Sequence, residues 1–202
     1  MLFRSSKLMN DYCAVNILDM IEAIGEDTLR VILSDFSCPL NPEIETFVKK
    51  NAIEFAKRKI SITYFVLNNA GDILSIFALT HKALYVSCDE LTYKSKEKLK
   101  RYAQYDEESK TYLGSAFLIA QFGMNDAIPR PTDWNGTRLM EKTFEVLEGV
   151  QKEIGGGIAY LECEDKPKLL SFYQNPNNGF YKFSERYSEK EKIKYIQLLR
   201  MF

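Results

Sequence analysis

One stretch limits what this 202-residue chain can fold into. Leu113 to Gly123 (Leu-Gly-Ser-Ala-Phe-Leu-Ile-Ala-Gln-Phe-Gly) is almost unbroken in its apolar character. That is the pattern of a central strand covered on both faces, as in a parallel part of a sheet. After a polar, proline-bearing loop from Met124 to Trp134, apolar residues recur with helical spacing at Leu139, Met140, Phe144, Leu147 and Val150. Gly155-Gly156-Gly157 then stops the helix, and a second strand, Ile158 to Cys163, follows. Strand, helix and strand in that order form a βαβ unit, whose right-handed crossover makes the two strands parallel and lays the helix on one face.

The start of that helix is the first candidate site. Asn135-Gly136-Thr137 presents backbone N–H groups that have no intrahelical acceptor, beside the positive end of the helix dipole, so a phosphate or pyrophosphate is a natural guest. Gly136 allows a close approach to the backbone. The glycine triplet at 155–157 is not a phosphate loop, because it follows a helix and precedes a strand, the reverse of the required order. At the end of the second strand, Glu162 and Glu164 share a face by alternation. They read either as bases for proton abstraction or as solvated or salt-bridged strand-end carboxylates. Asp165-Lys166-Pro167 opens a short helix, Lys168 to Gln174, that carries Phe172-Tyr173 before a turn at Asn175-Pro176-Asn177-Asn178-Gly179 leads to Phe180.

This order of apolar strand, loop, Gly-x-x-Leu-Met helix, strand ending Leu-Glu-Cys-Glu-Asp, and Phe-Tyr followed by Gly-Phe resembles the GCN5-related N-acetyltransferase (GNAT) superfamily. The resemblance implies an α/β fold with a twisted, mixed central sheet of about seven strands, helices on both faces and a splayed parallel strand pair. It further implies that acetyl-coenzyme A (acetyl-CoA) is the cosubstrate, held in a cleft between Leu118 to Gly123 and Tyr160 to Glu164. Gln121, Phe122 and Gly123 would pair with the pantetheine arm, and Asn135, Gly136, Thr137 and Arg138 would hold the phosphates. Tyr173 matches the tyrosine that protonates the departing thiolate, and Glu162 or Glu164 would take the amine proton through water. Without the resemblance, Tyr173 reads as a core aromatic with a hydrogen-bonded hydroxyl. Where the family keeps Arg or Gln and a first glycine in the phosphate loop, this chain has Pro131 and Trp134, with Arg130 and Arg138 as the nearby cations.

The remaining chain reads as scaffold. Residues 1–26 form an extension packed on a domain spanning 27–202, with a short helix around Val15 to Ile24. Leu29 to Leu33 is expected as a first strand, and Pro42 to about Arg58 as a helix capped by Asn41. Ile62 to Leu67 and Ile73 to Val86 make a hairpin around Asn68-Asn69-Ala70-Gly71-Asp72. Lys94 to Arg101 concentrates positive charge, but Asp106, Glu107 and Glu108 follow, so it reads as a solvated mixed-charge face rather than an RNA patch. Tyr181 to Arg186 and Lys194 to Met201 are the last strands, the final one inserting beside Ile158 to Cys163.

A net charge of -1 gives no bulk attraction to nucleic acid or membrane. Cysteines at 13, 38, 88 and 163 include no C-x-x-C pair, and with one histidine no metal site is expected. His81 reads as structural or solvated, and Cys163 as a buried thiol rather than a nucleophile. No apolar run approaches the roughly 20 residues of a membrane span, so the expected setting is a reduced, cytoplasmic one. The expected activity is direct acetyl transfer from acetyl-CoA to an amine, borne by a small molecule or peptide. A toxin-type enzyme acetylating aminoacyl-tRNA, and a non-catalytic coenzyme-binding or regulatory module, are the alternatives. A homodimer is among the assemblies this reading allows.

Overall fold

The structure is a computed structural model that describes residues 12–202; the first eleven residues of the expected N-terminal extension fall outside them. Its strands are β1 (Tyr12–Asn16), β2 (Ile62–Asn68), β3 (Ile73–Ser87), β4 (Ala103–Asp106), β5 (Thr111–Met124), β6 (Ile158–Glu164), β7 (Tyr181–Ser188) and β8 (Ile193–Met201). The helices are α1 (Ile17–Ile24), α2 (Glu26–Ser34), α3 (Pro42–Lys50), α4 (Ala52–Lys57), α5 (Tyr93–Leu99), α6 (Gly136–Ile154) and α7 (Pro167–Tyr173). The eight strands form one mixed sheet in the order β1-β2-β3-β5-β6-β8-β7, with β4 paired to β5. This is the GNAT-like arrangement expected from the sequence, including β8 inserted beside β6. No helix among the described residues is long and apolar enough to cross a membrane.

Two compact units divide the chain. The first holds the described residues up to Ala78 together with Gln121–Val146. Here β1 runs antiparallel to β2, from Tyr12↔Asn68 to Asn16↔Tyr64. Asn16 ends the strand and caps α1 by accepting a 2.9 Å bond from the Leu18 amide. The expected strand at Leu29 to Leu33 is instead the body of α2. Leu29 and Leu33, four residues apart, both face the core, while Arg30 reaches back to Glu26 at 2.6 Å and across to Glu54 at 2.8 Å. Apolar residues at 31 and 32 blur that period, but they are exposed. The helix expected over 42–58 is broken at Asn51 into α3 and α4. Phe47, Val48, Ile53, Leu29, Leu33, Phe36 and Phe65 share one buried cluster.

Asn125 is the polar anchor of this unit. It is 7% exposed; its Oδ1 accepts from the amides of Ser37 (3.0 Å) and Ala127 (3.1 Å), and its Nδ2 donates to the Ile73 carbonyl at 2.8 Å. One side chain thereby fixes the end of β5, the start of β3 and the loop before α3.

The second unit comprises Leu79–Ala120 and Leu147–Phe202. Its β6 is paired with β8 along its whole length, from Ile158↔Met201 to Glu164↔Tyr195, and β8 in turn carries β7. The parallel pairing of β5 with β6 is short: Phe117↔Ala159 and Leu118↔Tyr160, with no further register through Ile119 and Ala120. This is the strand separation that the sequence resemblance implies. The helix α6 ends at Gly155, whose φ of 76° suits the left-handed C-terminal position. β4 was not expected; its four residues, Ala-Gln-Tyr-Asp, are too few and too polar to stand out, and they pair antiparallel with Thr111–Gly114.

Replacing Asn125 by Leu would leave a buried carbonyl and two part-buried amides without their side-chain partner. At about 1–3 kcal/mol for each orphaned group, and roughly 2–4 °C per kcal/mol for a chain of this size, thermal denaturation should show a melting point lower by at least about 5 °C.

Candidate active site

The expected phosphate seat is in the first unit. Asn135 precedes α6 and caps it: its Oδ1 accepts from the amides of Thr137 (3.0 Å) and Arg138 (3.2 Å), and its carbonyl accepts from Leu139 at 3.0 Å. Two of the amides expected to meet phosphate are therefore bonded to the chain's own side chain. The Gly136 amide remains without an acceptor among the described residues. A phosphate claiming Thr137 and Arg138 would have to displace the Asn135 amide oxygen, which is exposed and free to turn outward.

Trp134 faces inward. It is 2% exposed, with its ring 4.5 Å from that of Tyr12, and the Tyr12 hydroxyl donates to Asp133 at 2.7 Å. The indole is thus a core residue of this unit rather than a plug at its surface. Both nearby cations carry carboxylate partners, Arg130 with Asp126 and Arg138 with Glu141 at 3.2 Å. Exposed pairs of this kind are worth little and can be exchanged for a ligand. Gln121, Phe122 and Gly123 are half-buried on β5. A Cβ at Gly123 would meet Ile44 Cδ1 at 2.9 Å and Cγ2 at 3.1 Å, so Ile44 of α3 crowds this position and would have to shift for a side chain, whatever the ligand requires.

The candidates for proton transfer are in the second unit, on β6 and α7. Tyr160, Glu162 and Glu164 point to one face of β6, and Cys163 points to the other. Glu162 is fully engaged in the sheet: Arg186 on β7 holds its Oε2 through Nε and Nη2, both at 2.7 Å, and Gln197 on β8 donates to Oε1 at 2.6 Å. The Arg186 guanidinium also lies 4.5 Å over the Tyr195 ring. Glu164 is the freer carboxylate, paired with the exposed Lys166 ammonium at 2.5 Å.

Tyr173 is the last residue of α7, 8% exposed, and packed edge-on against Phe172 (5.0 Å) and Phe180 (6.2 Å). Burial, and secondarily the neighbouring Cys163, push its phenol well above the ordinary range. Cys163 is 7% exposed, and burial raises its thiol to about 11, with Asp165 and Glu164 adding to the effect. It is therefore an inert thiol at neutral pH. Tyr173 is thus in the electrostatic neighbourhood of Cys163, whose side chain points to the opposite face of β6 from the two carboxylates.

A groove of about 530 Å³ in the same unit contains none of these residues; residues 100–104 and 113–115 line it, with Ala83. His81 Nε2 and Ser115 Oγ are 2.7 Å apart at its side, so the single histidine has a structural hydrogen bond. The charge run seen in the sequence ends at this rim, where Lys100 is already paired with Glu97 at 2.5 Å.

Gly123→Ala should cost about 1–3 kcal/mol by overpacking, read as a lower denaturation midpoint in the ligand-free protein. Ile44→Val in the same chain, by removing Cδ1, should recover part of it. An unchanged midpoint in Gly123→Ala would show that Ile44 does not impose the glycine.

No protein-family model matches the chain, and no curated protein matches it either. Among solved structures it is similar to a tyrosine-to-phenylalanine mutant of KacT, at 15% identity over 92% of this chain and 94% of that one, with a TM-score of 0.61. It is similar to AtaT complexed with acetyl-methionyl-tRNAfMet, at 16% identity over 84% and 86% of the two chains, with a TM-score of 0.59. It is also similar to AtaTR bound with AcCoA, at 15% identity over 93% of each chain, with a TM-score of 0.53. At such identities the likeness is one of architecture, and the architecture of this chain is the GNAT-like fold.

Proposed function

We propose that this protein is an acetyl-CoA-dependent N-acetyltransferase that passes the acetyl group directly to an amine. The observation that carries the reading is the short parallel register of β5 and β6, which ends at Leu118 and Tyr160. Past that point neighbouring backbone groups of the two strands are not spent on each other, and an amide-bearing pantetheine arm can take them up as a strand would. Solved structures of the same fold include one bound with AcCoA, which supports the choice of cosubstrate.

In this reading Gln121, Phe122 and Gly123 pair with the pantetheine, and Asn135, Gly136, Thr137 and Arg138 receive the phosphates, Asn135 giving up its cap as they arrive. An opening between two strands is accessible from both faces of a sheet. Tyr173 would address the sulfur and a carboxylate at the end of β6 would serve the amine. The amine nitrogen attacks the thioester carbon, the C–S bond breaks, and Tyr173 donates to the sulfur as charge builds there. The proton released by the acylated nitrogen passes through water to the carboxylate side. Glu164 is the better placed carboxylate, because Glu162 ties β6 to β7 and β8.

The acceptor is an amine on a small molecule, a peptide or an aminoacyl-tRNA. The tRNA reading is supported by the similarity to AtaT, whose structure contains acetyl-methionyl-tRNAfMet.

Purified protein should release coenzyme A from acetyl-CoA when offered the right amine from a panel that includes polyamines, peptides and charged tRNA. No thiol release with any of them, together with no heat on titrating acetyl-CoA, would refute the reading. Tyr173→Phe should lower kcat by about 10²–10³-fold with KM for acetyl-CoA little changed. Because burial raises the phenol, its neutral, donating form persists as pH rises past about 10, where an exposed phenol is half ionised. The pH–rate profile should accordingly show no alkaline fall from Tyr173 below that point. Incubation with acetyl-CoA alone should leave the intact mass unchanged, since Cys163 remains protonated below about 11 and forms no acetyl-enzyme.

A further inference from the structure

The end of α7 is fastened in an unusual way for so short a helix. Seven residues give it few internal bonds: the Gln174 amide closes on the Leu170 carbonyl at 2.9 Å, and the carbonyls after it lie at the helix end, where the i+4 donors run out. Tyr173 is in that last turn, where a helix frays first. The segment that follows supplies what the helix lacks. The Phe172 carbonyl accepts two side-chain amides, Asn175 Nδ2 at 2.5 Å and Asn178 Nδ2 at 2.7 Å, and the Tyr173 carbonyl accepts the Phe180 amide at 3.2 Å.

The clamp is itself rigid. Asn175 Oδ1 accepts the amides of Asn177 and Asn178, each at 2.9 Å, and the Gly179 amide closes on the Asn175 carbonyl at 2.8 Å. Asn178 is only 3% exposed. From β8, Arg200 Nη1 donates to the carbonyls of Asn177 (3.1 Å) and Asn178 (2.8 Å), so the turn is bolted to the strand that pairs with β6. Arg200 is half-buried, and its guanidinium sits 4.9 Å over the Phe202 ring.

We infer that Asn178 and Arg200 are positioning residues for the Tyr173 phenol: they hold the last turn of α7 against the sheet so that the hydroxyl keeps one location. The inference rests on the reading of Tyr173 as the proton donor. A donor misplaced by about 1 Å can lose roughly 10²-fold in rate, so the effect of loosening the clamp should be kinetic before it is structural. Asn178 gives the Phe172 carbonyl a second amide donor beside that of Asn175, whereas Asp at 178 would present an acceptor to it.

The test uses Asn178→Ala and Arg200→Lys in the full chain, with Asn177→Ala as a control whose side chain makes none of these bonds to α7. Both variants should lower kcat about 10–100-fold with KM for acetyl-CoA within about twofold, and Asn177→Ala should match the wild type. In a Tyr173→Phe background the same changes should cost nothing further, because they act through the missing hydroxyl. Amide hydrogen exchange over residues 170–174 should quicken in Asn178→Ala while β6 stays protected. An undiminished kcat, or an equal loss with and without the Tyr173 hydroxyl, would overturn the inference. If Asn178→Ala does not fold, Arg200→Lys carries the same comparison. A wild-type rate in Tyr173→Phe would instead strike at the proposed donor. Exchange over 170–174 would then decide alone, with quickened exchange upholding the hold on Tyr173 and unchanged exchange refuting it.

Discussion

A backbone that leaves a sheet strands its hydrogen-bonding groups, and the cost of stranding them is what makes the separation of β5 from β6 informative. Only two register pairs join these strands, yet β6 does not fray, because β8 is bonded to it at every position from Ile158 to Glu164. The unbroken ladder on one side is what permits an interrupted one on the other. β6 can lose a neighbour and remain straight, and whatever it carries keeps its place. Glu162, Cys163 and the contact with Tyr173 all inherit their coordinates from that ladder.

The protein keeps its ionisable groups in order by two different physical means. Tyr173 and Cys163 are removed from water, which favours their neutral forms and leaves a phenol ready to donate and a thiol unable to attack. The carboxylates on the other face are held by cations and amides instead, Glu162 by Arg186 and Gln197, Glu164 by Lys166. Alternation along one short strand separates the two regimes by a single residue.

How much of this was legible in the sequence follows from the kind of signal each element gives. The βαβ unit was readable because its strands are continuous apolar runs and its helix repeats over five turns, leaving one period that fits. Leu29 to Leu33 misled because four of its five residues are apolar or β-branched; the helix is decided by Gly25 and by Arg30 reaching Glu26, a pairing that an isolated run does not display. β4 gave no period at all. At the site, alternation placed Glu162 and Glu164 on one face, but not the cross-strand arginine that binds Glu162, since Arg186 is 24 residues away. In the sequence Gly123 and Trp134 invite a ligand-based explanation, and the fold accounts for both: one makes room for Ile44, the other fills the core beside Tyr12. The turn after Tyr173 was recognised as a turn, but its grip on the helix depends on side-chain amides whose direction no spacing reveals.

The clamp behind Tyr173 also has a consequence in time. Asn178 is joined to Arg200, 22 residues further along, so the fastening of α7 waits for the strand that pairs with β6 on its far side. A chain emerging from the ribosome carries Tyr173 before it carries Arg200, so the helix exists for a time without the side chain that bolts its end.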